Sequence, residues 1–123
     1  MIDASALIAA VEREPGGEVV EPLLASASMS SLNFSEVLEH AGRRGIDVRE
    51  ERSNVEATGL TLVAFDAAQA EIAAAMAPVT RTAGLSLADR ACLALARSLG
   101  LPAITADRAW GGVSVGVSIE LIR

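Results

Sequence analysis

The chain alternates short apolar runs with segments in which apolar positions recur every three or four residues, the pattern of strands separated by helices. Met1 and Ile2 read as the end of a short strand. Ser5 stands where a cap would start a helix to about Arg13, stopped by Glu14-Pro15-Gly16-Gly17. A second helix fits Glu18 to Ala27, a strand Ala27 to Ser31, and a third helix Asn33 to Arg44 with Gly45 just past its end. Asp47-Val-Arg-Glu50 has capping-box spacing for a helix to about Ala57. Leu60 to Phe65 reads as a buried strand, and Asp66-Ala-Ala-Gln69 repeats the capping pattern at the head of an Ala-rich helix that ends near Gly84. Ser86-Leu-Ala-Asp89 opens a helix to Leu99, closed by Gly100. Pro102 then leads a strand over Ala103 to Ala106, and Val113 to Ile122 supplies the last strand material. Strands separated by helices pair in parallel with helices on both faces. The predicted fold is a three-layer α/β/α sandwich with a central parallel sheet, one domain over residues 1–123.

Composition narrows the classes of function. The longest stretch without a charge is Pro22 to Ser35, 14 residues broken by five serines and Asn33, too short and too polar to span a bilayer. Met1 to Ala10 contains Asp3 and lacks a basic n-region, so no signal peptide is expected and the chain reads as cytoplasmic. One cysteine, Cys92, and one histidine, His40, exclude an internal disulfide and a zinc framework built from those residues, so any metal is held mainly by oxygen. Ten arginines, no lysine and 16 acidic residues give a net charge of -6, which argues against nucleic-acid binding by bulk electrostatics. That argument weakens if several carboxylates are gathered in one site and neutralised by divalent cations.

The position of the acids therefore matters. In open α/β sheets ligands bind beyond the carboxyl ends of the strands. Asp3 follows Met1-Ile2, Asp107 follows the Ala103-Ile104-Thr105 run, Asp89 opens a helix, and Glu36 lies in the first turn of the helix after the second strand. Four carboxylates from distant parts of the chain can converge on one edge of the sheet, where they must bind cations or take up protons.

These same segments carry a resemblance. Asp3-Ala-Ser-Ala-Leu-Ile-Ala9, Ser35-Glu36-Val37-Leu38, the run from Gly84 through Asp89 to Ala96, and Thr105-Ala-Asp107-Arg108-Ala109-Trp110 together resemble a PIN-domain protein, within that superfamily a VapC-type toxin of a bacterial toxin–antitoxin pair. The chain has only Met1 and Ile2 ahead of Asp3, where members usually have a few more apolar residues. The resemblance implies a metal-dependent endoribonuclease whose carboxylates correspond to Asp3, Glu36, Asp89 and Asp107, with Ser5 and Thr105 as supporting hydroxyls. It also implies homodimerisation and an antitoxin partner docking over roughly Ser5 to Ala27 and Asn33 to Ala57, and products with 5′-phosphate and 3′-hydroxyl ends. Carboxylate oxygens suit Mg²⁺ or Mn²⁺, which activate water for phosphodiester hydrolysis. Asp3 and Asp89 are the expected direct ligands, Asp107 binds directly or through water, and Glu36 holds a second ion or orients the attacking water.

Each residue also has a plainer reading. Asp89 lies three positions after Ser86 and fits a capping box, Asp3 fits a helix cap, Asp107 a turn, and Glu36 a solvated face beside Glu39. Arg90 and Arg108 flank the acidic pair and are candidate phosphate contacts. Arg43, Arg44, Arg49 and Arg52 interleave with Glu39, Glu50, Glu51 and Glu56 and read as a salt-bridged face. His40 stands one turn from Glu36 on the same face, while Cys92 and Trp110 read as core. Two other functions stay open: a catalytically degenerate PIN-like scaffold that only binds a partner, and a phosphotransfer domain with Asp3 as covalent nucleophile. The second is weakened because Ser5, not an aspartate, stands two residues after Asp3.

Overall fold

A computed structural model describes residues 1–123. The helices are α1 (Ala4–Val11), α2 (Gly17–Val20), α3 (Ser31–Arg43), α4 (Val48–Ala57), α5 (Ala67–Thr80) and α6 (Leu87–Leu99). The strands are β1 (Ser28–Ser30), β2 (Thr61–Val63), β3 (Ala103–Thr105) and β4 (Ile119–Leu121). β1 pairs in parallel with β2, Met29 opposite Leu62, and β3 in parallel with β4, Ile104 opposite Glu120. Met1–Asp3 joins the two pairs. The Ile2 N–H donates to the Ser28 carbonyl at 2.9 Å, the Ile104 N–H to the Met1 carbonyl at 2.8 Å, and the Asp3 N–H to the Ile104 carbonyl at 3.0 Å. The order across the sheet is thus β2, β1, Met1–Asp3, β3, β4, with every assigned pairing parallel.

Alternation along extended backbone sends neighbouring side chains to opposite faces and divides the core in two. Ile2, Met29 and Ile104 pack with Leu7, Val20, Val37 and Val55 from α1 to α4. Met1 and Ala103 pack on the other side with Met76, Cys92, Leu93, Leu95 and Trp110. Helices therefore cover both faces, the α/β/α arrangement expected from the sequence. No helix is long and apolar enough to cross a membrane.

Several local expectations are corrected. The first helix is capped by Asp3, whose carboxylate accepts the Ser5 N–H, so Ser5 lies inside the first turn. The second helix splits: α2 stops at Val20 and a 3-10 turn covers Glu21–Ser26, because Pro22 has no N–H for the helical ladder. α3 starts two residues earlier than expected, with Ser30 as its cap, which moves Glu36 into the second turn. β2 is shorter than the expected Leu60–Phe65 strand and lies at the sheet edge, half-exposed. Of Val113–Ile122 only Ile119–Leu121 pairs. Asp66 caps α5, but Gln69 turns its amide to the Ala64 carbonyl instead of completing a reciprocal box.

Candidate active site

Asp3 ends the central extended segment, and the chain turns there into α1, so its carboxylate lies at the carboxyl end of the sheet. It is buried and held from three elements. Its Oδ2 accepts the Ser5 hydroxyl at 2.6 Å, the Ser5 N–H at 3.2 Å and the Thr105 hydroxyl at 3.0 Å. Its Oδ1 accepts the Asn33 amide at 2.9 Å. Both hydroxyls in turn accept backbone N–H groups just beyond β3, Ser5 from Ala106 at 2.9 Å and Thr105 from Asp107 at 3.0 Å. This network ties the start of α1 to the end of β3.

Asp3, Glu36, Asp89 and Asp107 line one open cleft of about 360 Å³ together with Ser5, Glu39 and Arg43. Burial raises the Asp3 carboxyl above its usual range, the Ser5 bond opposes that rise, and repulsion from Asp89 adds to it. Burial, then repulsion from Asp3, Asp89 and Glu39, pushes Glu36 up to about 7 against the lowering effect of the nearby Asn33 amide. Asp89 is half-buried and completes a capping box: it accepts the Ser86 N–H at 2.6 Å while its own N–H donates to the Ser86 hydroxyl at 3.1 Å. Asp107 is exposed at the rim and caps the turn that follows, accepting the Ala109 N–H at 2.9 Å. No three acidic side chains are gathered tightly enough to form a ready-made ion cage, since Asp89 and Asp107 are each turned toward a local N–H. The cleft is nonetheless an excess of mutually repelling carboxylate oxygens around one arginine, a donor set that fits a hard divalent cation.

The candidates identified from sequence are placed unevenly. Asp3, Glu36, Asp89, Asp107 and Ser5 line the cleft, and Thr105 lies beneath it, bonded to Asp3. Arg90 and Arg108 do not line it: the Arg90 guanidinium donates to the Ser86 carbonyl, and Arg108 is exposed in the turn after Asp107. The arginine in the cleft is Arg43, whose contact with Glu39 is loose, at 3.9 Å. His40 turns away to Glu12, just past the end of α1, at 2.7 Å, where Arg44 pairs with the same carboxylate. Cys92 and Trp110 are fully buried. Sequence reasoning missed Asn33, Glu39 and Arg43. Their common signal is spacing, for Asn33, Glu36, Glu39 and Arg43 recur every three or four residues along α3.

Comparisons with known proteins agree with this architecture. The PIN domain family profile matches residues 1–115. A solved structure described as a toxin–antitoxin complex from Klebsiella pneumoniae superposes with a TM-score of 0.75 at 18% identity, covering 99% of this chain and 96% of that one. No curated protein sequence matches.

Proposed function

The chain belongs to the PIN domain family, whose members are generally nucleases, and from that premise we propose that it is a divalent-cation-dependent endoribonuclease. The observation that carries the reading is the meeting of Asp3, Glu36, Asp89 and Asp107, from four separate parts of the chain, around one open polar cleft at the carboxyl end of the sheet. Asp3 and Asp89 would hold the cation, with Asp107 reaching it from the rim. When bound, Mg²⁺ or Mn²⁺ supplies charge neutralisation on the phosphate and acidifies water. The Ser5 and Thr105 hydroxyls donate to Asp3 beneath the cleft. Glu36, in the lining of the same cleft, would orient the attacking water through its carboxylate, and Arg43 would hold a phosphate oxygen against the surrounding negative charge. Arg90 and Arg108, next to Asp89 and Asp107 in the chain but outside the lining of the cleft, would meet phosphates further along a bound strand.

The biological setting we infer is that of a toxin restrained by an antitoxin, because the structurally similar Klebsiella protein is described as part of such a complex. A small hollow of about 40 Å³ between α1, α3 and α4, with apolar walls from Leu7, Ile8, Val11, Val37, Ala41 and Ile46 and a polar margin of Glu12, His40, Arg44 and Glu51, has room for no more than the tip of one partner side chain. It lies within the helices expected to meet an antitoxin.

Incubating the purified protein with a mixed RNA pool, and in parallel with DNA of matched sequence, tests the activity. RNA is expected to be cut with Mg²⁺ or Mn²⁺, and EDTA to stop it. Equal cutting with EDTA would refute cation dependence, and DNA cut in place of RNA would refute the substrate class. Absence of cutting together with absence of cation binding would point instead to a partner-binding scaffold.

A further inference from the structure

Asn33 is an unusual residue for its position. It lies in the first turn of α3 with its side chain completely buried, where an apolar residue would pack without desolvating an amide. Its nitrogen donates to Asp3 Oδ1 at 2.9 Å, while its own Oδ1 is buried with no partner. A half-satisfied buried amide costs stability, so the fold retains it against its energetic interest.

The distribution of donors around Asp3 gives the reason. A carboxylate has about four lone-pair sites, two on each oxygen. Oδ2 is already met by the Ser5 hydroxyl, the Ser5 N–H and the Thr105 hydroxyl, so it is saturated. Oδ1 is met by Asn33 alone and keeps an open lone pair in a residue that lines the cleft. We propose that Asn33 is a positioning residue of the cation site: with Ser5 and Thr105 it fixes the orientation of the Asp3 carboxylate, the residue that would hold a divalent cation. The inference rests on the cation-site reading above and adds to it the residue that aims the Asp3 ligand. Partners of this kind, behind a metal ligand, fix its orientation and strengthen its hold on the ion.

The experiment is Mn²⁺ titration of the purified protein without RNA, by isothermal calorimetry and by the loss of the free-ion paramagnetic resonance signal. The variant is Asn33→Leu, with Asn33→Ala in its place should the first not fold. Gln69→Leu is the control, because Gln69 is also a buried amide with an unpartnered oxygen, placed on α5 and bonded to a backbone carbonyl. Asn33→Leu is expected to weaken Mn²⁺ binding by about 10- to 100-fold, while Gln69→Leu leaves it unchanged. A folded Asn33 variant that binds Mn²⁺ like the unaltered protein overturns the inference, as does equal weakening in the Gln69 control. If the unaltered protein binds no Mn²⁺, or Asp3→Asn binds as well as it does, the cation-site reading itself falls and takes the inference with it.

Discussion

Protonation of the cleft carboxyls adds its own contribution to the pH response of the metal-free protein. Glu36 is raised to about 7 and Asp3 is raised as well, so between the unfolded value, about 4.3 for Glu, and neutrality the folded state binds more protons than the unfolded chain. Stability from this source is therefore full below the unfolded value and is lost as pH rises through about 7. In EDTA, the urea midpoint of the unaltered protein is expected to fall between pH 5 and pH 8 relative to Glu36→Gln; parallel curves would contradict the assignment. The four carboxylates were legible as candidates because they fall beyond strand ends and near helix starts, where an α/β sheet binds ligands, although Asp3, Asp89 and Asp107 also cap the elements they open. Asn33 was not, since an asparagine near a helix start reads as a cap, and its contact with Asp3 spans 30 positions of the chain. Arg43 was hidden by Glu39, four positions before it, which makes it look like one half of an ordinary surface pair. His40 shares a helix face with Glu36 in principle, but the end of α1 packs across it and Glu12 captures the ring.

At the scale of elements, close approach decides what the sequence can tolerate. α1 and α2 meet at Gly17, where an added Cβ would lie 2.2 Å from the Ala9 carbonyl oxygen. Gly17→Ala is expected to destabilise the fold by about 3 kcal/mol, the upper part of the range for overpacking, read from urea unfolding. Gly42, inside α3, has nothing within 4 Å of the same atom. Gly42→Ala should therefore stabilise by about 0.5 kcal/mol through helix propensity; a loss of stability there would show that α3 is held differently. Helices were read well from the sequence where caps and closing glycines coincide, as for α6 between Ser86 and Gly100. They were read poorly around Pro22, where composition favours a helix and the missing N–H forbids one. The strands were overestimated because each pairs over only three residues, and the glycines at 111, 112 and 116 interrupt the apolar run ahead of β4.

For the whole molecule, α5 leaves Ala67, Ala68, Ala74, Ala75 and Val79 exposed with Glu71 as its one charge, a surface suited to a second copy of the chain. Light scattering at micromolar concentration is expected to give twice the 12.6 kDa of one chain, and a monomeric mass would count against that. The net charge of -6 poses the larger question, because a nucleic acid must approach a surface that repels it overall. The proposed resolution is local: the carboxylates that account for much of the excess are neutralised by cation in the one cleft where the strand is cut. The most direct measurement of that claim is RNA cleavage with Mg²⁺ or Mn²⁺ by Asp89→Asn beside the unaltered protein, with melting curves of both. The variant retains an oxygen for the Ser86 N–H and loses the charge, so it should melt within a few degrees of the unaltered protein while losing about 100-fold or more in cleavage rate. Full cleavage by the folded variant would contradict the account, since the chemistry would then occur without one of the two carboxylates proposed to hold the cation.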